Sequence, residues 1–242
     1  MSKMKKLIWL LPVLLAMLVS SCLKDDVNET VILLGTESDV KPIGEVIPDT
    51  LLNFLADPTV MDGFTLPVGN MPPDIQGEYM FFPRELFADN GFSPVANDTL
   101  FFRFGGTPES QYYPNGQHNR LVPCDIHEKG FSLKSIEKAF VMGSGDEFTV
   151  YFAVQYDDCV EVVSGTQYTL TRGYIITGTV TATGIDRAIV ACVNMDAKFN
   201  VMPSGVPEEA LERLIGQIFV YRVKTDDPNN PFGSAVRQQW YK

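Results

Sequence analysis

From residue 75 onward the chain alternates. Phe148, Val150, Phe152 and Val154 are interleaved with Thr149, Tyr151 and Ala153, and a period of two marks a strand, not a helix. The run before it, Gly143-Ser144-Gly145-Asp146, follows the apolar residues 139–142 and reads as a hairpin turn. Further strands are predicted over 77–82, 99–104, 121–126, 160–163, 168–171, 174–182 and 187–194, with Thr183-Gly184-Ile185-Asp186 as a second turn. Residues 131–139 fit neither period. The β-branched run 175–181 suits a half-buried pleated surface, and Gly178 within it marks a bulge or a tight bend. Two short helices interrupt this theme. Pro48-Asp49-Thr50 opens one through Ala56, with Leu51, Leu52 and Leu55 on one side and Pro58 after it. The other spans 207–215, with Glu208 and Glu209 in its first turn, Ala210, Leu211, Leu214 and Ile215 as its apolar side, and Gly216 as its stop. A last strand follows over 217–223. About nine or ten strands with no βαβ alternation predict an all-β, mainly antiparallel fold, either a barrel or a sandwich.

The first residues carry a different pattern. Lys3, Lys5 and Lys6 precede thirteen residues, 7–19, that are apolar throughout apart from Pro12. As a helix this run reaches about 20 Å, short of the roughly 30 Å of bilayer hydrocarbon, so it reads as the hydrophobic region of a signal peptide. Val19-Ser20-Ser21-Cys22 then resembles the bacterial lipobox. That resemblance implies cleavage before Cys22 and lipidation of its thiol. The following Leu23-Lys24-Asp25-Asp26 resembles the surface-export signal of Bacteroidetes lipoproteins, with Lys24, Asp25 and Asp26 as its residues. An outer-membrane lipoprotein exposed on the cell surface is the implied location, and a periplasm-facing one the alternative.

Composition narrows the partners. A chain that is 45% hydrophobic and 20% charged is neither disordered nor fibrous. Its formal net charge is −11, and removing residues 1–21, with three lysines and no acid, takes this to −14. Such a chain lacks the clustered cations that nucleic acid demands. It is also repelled by anionic headgroups, which leaves the lipid on Cys22 as its membrane attachment. After Cys22, three cysteines remain, enough for at most one internal disulfide. Cys192 lies in the apolar run 188–193 and reads as a small buried hydrophobe. Cys124 and Cys159 are then the pair that an oxidising compartment would favour.

Asp74-Ile75-Gln76-Gly77-Glu78-Tyr79, entering the first long strand after a helix and a loop, resembles calycins of the lipocalin type. In those proteins an aromatic residue after a glycine on the first strand lies under an arginine of a late strand. The resemblance assigns these roles to Tyr79 and Arg222, in contact at the closed end of a barrel. Residues 143–152, 174–194 and 72–79 together resemble uncharacterised lipocalin-like surface lipoproteins of Bacteroidetes. The implied plan is a signal peptide (1–21), a tether (22–47), a lipocalin-like barrel (48–225) and a polar C-terminal tail (226–242).

Catalytic chemistry finds little support. His118 and His127 are the only histidines, and Cys124-x-x-His127 supplies two metal ligands where zinc takes four. Ser144 lies in a hairpin and lacks the spacing of a nucleophile elbow. No cofactor loop is visible, so neither a cofactor nor a metal is expected, and an enzyme is not predicted. Binding fits better. The loop 105–120 carries Tyr112, Tyr113, His118 and Arg120, whose aromatic faces and polar tips suit a glycan or a polar-headed ligand. The reading is a lipid-anchored binding protein with a small-molecule or lipid cavity in a calycin-like barrel. The alternative is a β-sandwich that binds a glycan or a partner in an outer-membrane uptake system. Replacing Cys22 by Ser in the full chain is expected to abolish palmitate labelling and to release the protein from the membrane fraction; labelling that persists would contradict the lipobox reading.

Overall fold

The computed structural model describes residues 40–91, 97–105, 121–128, 134–160, 167–201 and 208–238. The period-two stretches fold as strands: β1 (Asn70–Met71), β2 (Gly77–Asp89), β3 (Asn97–Phe104), β4 (Leu121–Glu128), β5 (Lys134–Ser144), β6 (Glu147–Val160), β7 (Gln167–Val180), β8 (Gly184–Phe199), β9 (Ile218–Val223) and β10 (Ser234–Gln238). Helices α1 (Ile43–Val46) and α2 (Asp49–Ala56) precede them, and a 3-10 helix (Glu208–Leu214) lies between β8 and β9. The fold is mainly antiparallel β; only the short β1–β5 contact is parallel among the described ladders.

From β2 to β8 each strand pairs with the next in the chain. β8 returns to β2 through one slot that two strands share. β9 fills the part beside residues 84–89 of β2 and 189–193 of β8. β10 fills the part beside residues 78–80 and 184–186. The pairings therefore run in an unbroken ring.

Alternation gives that ring two different faces. Its inner face packs Tyr79, Phe81, Phe102, Phe104, Phe148, Phe152, Tyr156 and Tyr174, each no more than 1% exposed. Phe81 meets Phe102 edge-on at 4.8 Å between ring centres, and Phe152 stacks on Tyr174 at 5.4 Å. On the outer face the buried apolar side chains lie along β5 to β9, among them Phe140, Tyr151, Ile175, Ile189, Val193 and Val220. Residues 43–66 lie across that area and cover it with Ile47, Leu51, Leu55 and Met61. Two side-chain bonds fix the segments flanking this strap to β6: Tyr151 Oη donates to the Lys41 carbonyl at 2.5 Å, and Thr149 Oγ1 to the Pro67 carbonyl at 2.7 Å.

Several boundaries differ from the sequence reading. The tether 22–47 contributes α1 and buries Ile47, because the strap needs its apolar end. The tail 226–242 contains β10, a strand of the ring, since β9 is too short to span its slot. β2 continues to Asp89 past Pro83, because a register shift between Phe81 and Arg84 absorbs the missing donor. The second helix is a 3-10 turn that buries Leu211 and leaves Ile215 42% exposed. Truncating the strap's anchor, Leu51→Ala, should cost about 2–5 kcal/mol for a fully buried leucine. A urea midpoint that falls with an unchanged slope would register this; a midpoint equal to wild type would mean that the strap does not stabilise the ring.

Candidate functional site

β7 and β8 do not stay in step. Thr177 pairs with Ile189 and Thr179 with Asp186, so two steps along β7 oppose three along β8. The extra step contains Arg187, whose φ of 50° lies in the left-handed region. Holding a non-glycine residue there costs roughly 1–3 kcal/mol, and a bulge of this kind re-aims a side chain. Gly178 makes the bulge fit, because a Cβ at that position would lie 2.4 Å from Ile185 Cγ2 and 2.7 Å from the Asp186 carbonyl oxygen. Asp186 is itself held by Asn230 Nδ2 and by Ser234 Oγ, the latter at 2.7 Å.

The re-aimed guanidinium enters a groove of about 430 Å³ on the outside of the ring. Residues 63–68 form one wall; Glu147, Thr177, Thr179 and Phe232 line the rest. Arg187 Nη2 donates to the Gly63 carbonyl at 3.3 Å, and its Cζ lies 5.6 Å from the Phe232 ring centre. Phe232 is buried and meets Phe64 edge-on at 6.2 Å. Thr177 Oγ1 is committed to the Phe148 carbonyl at 2.7 Å. Glu147, Thr65 and Thr179 make no side-chain hydrogen bond or ion pair with another described residue. The groove thus offers a carboxylate, most of a guanidinium's donors and two hydroxyls above an aromatic floor.

A second concavity, about 320 Å³, opens on the outer face of β2, β3 and β4. Glu78, Arg103 and Asp125 stand in register across those strands, and Arg103 Nε donates to Asp125 Oδ2 at 2.7 Å. Phe101, Phe102 and the exposed His127 also line it. Here the guanidinium is already paired with a carboxylate, so the surface has less to offer a ligand. The inner face carries its own polar cluster. The buried Arg172 donates from Nε to Asn194 Oδ1 at 2.9 Å and from Nη1 to Tyr174 Oη at 3.2 Å, and the Tyr156 and Tyr174 hydroxyls are 2.9 Å apart.

Of the residues singled out from the sequence, Cys22, Lys24, Asp25, Asp26, Tyr112, Tyr113, His118 and Arg120 lie outside the described residues. Tyr79 is buried on the inner face, but Arg222 does not reach it. Arg222 donates from Nε to Glu85 Oε1 at 2.7 Å and lies over Phe87, and six residues of strand, about 20 Å, separate Glu85 from Tyr79. The arginine over Tyr79 is Arg237, a register partner on β10, with Nη2 2.7 Å from Tyr79 Oη and Cζ 5.3 Å from the ring centre. Tyr79 in turn donates to the Ile75 carbonyl at 3.1 Å, and burial raises its pKa above the usual phenol value, with Arg237 acting in the opposite direction. The exchange of arginines has a simple cause: β9 turns away from β2 at Val223, and β10 takes its place.

Cys124 and His127 also separate. A spacing of three on a strand puts them on opposite faces, Cys124 inward and His127 outward, so they cannot share a metal. Among the described residues no group of three His, Cys, Asp or Glu side chains could hold one. Cys124, Cys159 and Cys192 are all buried free thiols, so the disulfide considered between Cys124 and Cys159 is not formed. Arg187 and Glu147 were missed by sequence reasoning. Gly178, an interruption in a β-branched run, was the one signal of the bulge beside them.

Burial, with a smaller contribution from Asp125, holds the Cys124 thiol well above its ordinary pKa. In protein lacking residues 1–22, all three thiols should resist a disulfide reagent at pH 8 until denaturant unfolds the chain, since the thiolate is the reacting form. A fast stoichiometric reaction of the native protein would contradict that burial. Compared with protein-family models, with the curated proteins and with solved structures, the chain gives no match.

Proposed function

We propose that this is a lipid-anchored binding protein of the cell surface, a calycin-like barrel tethered through Cys22, that takes its ligand outside the ring. One contrast carries the reading. Eight large aromatic side chains are buried on the inner face, whereas the groove at Arg187 presents polar groups with no side-chain partner among the described residues. A volume of about 430 Å³ falls within the range of small-molecule sites. Binding fits this groove better than catalysis. Among its described lining residues Glu147 is the one carboxylate, and neither histidine nor cysteine is present to act as a base or nucleophile.

The lipobox, the acidic pair after it and the net charge support the location. A chain that carries a lipid and little positive charge is held at a membrane without lying flat on anionic lipid. Protease added to intact cells that express the full chain is expected to degrade it. Organic extraction of the purified protein is expected to release no stoichiometric amphiphile beyond its own acyl chains. A lipid recovered at one per chain would place the ligand inside the ring and overturn the outside-binding reading; protection from protease would overturn surface exposure.

A further inference from the structure

The groove at the β8 bulge can be read for the class of ligand it takes, and this inference rests on the outside-binding reading above. We propose that it is a subsite for an uncharged oligosaccharide. Among its described lining residues, Glu147 and Arg187 bring one negative and one positive charge to the same concavity, so that lining is formally neutral in a chain of net charge −11. A polyanion approaching this surface meets the field of the whole protein, and a cation gains Glu147 only to face Arg187. A neutral ligand meets neither obstacle.

The donor and acceptor set favours hydroxyls. A sugar hydroxyl both donates and accepts, so neighbouring hydroxyls can give to the Glu147 carboxylate while receiving from the Arg187 guanidinium. Thr65 and Thr179 add two hydroxyls with no side-chain partner among the described residues. Thr179 lies directly across from Glu147 in the β6–β7 register, which puts its hydroxyl beside the carboxylate. Phe64, half-buried at the wall, offers an apolar surface to the CH-rich face of a sugar ring.

The bulge supplies a second, independent observation. Arg187 is the one non-glycine residue with positive φ among the described residues, and its neighbour Asp186 is held by Asn230 and Ser234. A strained residue that is aimed into a groove and braced from behind is arranged for contact with something in that groove.

The test uses the mature chain from Cys22, solubilised through its acyl anchor, on an array of neutral and anionic glycans, followed by calorimetry with the best neutral oligosaccharide. Saturable binding to a neutral series is expected, with affinity nearly unchanged between about 50 and 500 mM salt, because no net charge is neutralised. Arg187→Ala and Glu147→Gln should each weaken binding by about tenfold or more, the loss expected for one charge-assisted hydrogen bond, while thermal unfolding shifts little. Asp226→Asn, at an exposed position that is not among the described lining residues, serves as the control and should bind as wild type. Binding confined to anionic glycans or to a peptide that competes at the groove would overturn the sugar assignment and leave the outside-binding reading in place. No neutral glycan bound, or binding indifferent to both substitutions, would overturn the subsite itself.

Discussion

Burial on both faces of β7 and β8 is the constraint on which the rest of this structure depends. A strand with one wet face alternates, but Ile175 and Ile176 are both buried, as is every residue from Ala188 to Val193. The ring supplies cover for one side only. The other side must be closed by chain from elsewhere, and residues 43–66 do this with Ile47, Leu51, Leu55 and Met61. Burying these side chains contributes on the order of 1.5–3 kcal/mol each, which makes the strap part of the fold and not an ornament of the tether. The groove follows from the same arrangement, because residues 63–68 form its wall where the strap leaves the sheet.

The inner face is not uniformly apolar. Arg84 lies 4.4 Å from the centre of the Tyr221 ring, and Arg172 works with Asn194, Tyr174 and Tyr156. A buried guanidinium is tolerated where donors find oxygen and the cation finds an aromatic face. Asn194 passes the network on through its Nδ2 to Gln217 Oε1 at 3.4 Å, next to the start of β9. Such hydrogen-bonded clusters pin register more tightly than aliphatic packing does, because a shift of one residue would strand every donor at once.

Tyr79 and Arg237 perform a similar service where the chain enters and leaves the ring. β9 and β10 lie end to end in one slot, and the segment between them carries Phe232 out to the strap and Asn230 out to Asp186. A single excursion of the chain thereby links the last strand, the strap and the bulge that aims Arg187. The strain at Arg187 is offset locally, by Gly178 across the ladder and by the bonds to Asp186.

Much of the strand content of β2 to β9, the β5–β6 hairpin at residues 143–146 and α2 could be read from the sequence alone, because each rests on neighbours only a few residues apart. Residues 134–138 of β5, however, fitted no period, β7 read as two strands and the first residues of β8 read as a turn. Alternation, turn glycines and caps are local physics. The sequence did not reveal β10, in which five residues alternate too briefly to stand out, nor the continuation of β2 past Pro83. Nor could it decide which arginine meets Tyr79, that the three thiols stay apart from disulfide chemistry, or that Glu147 and Arg187 share a groove. Those outcomes depend on register between strands that are distant in the chain, and register is set only when the two faces of the ring are filled together.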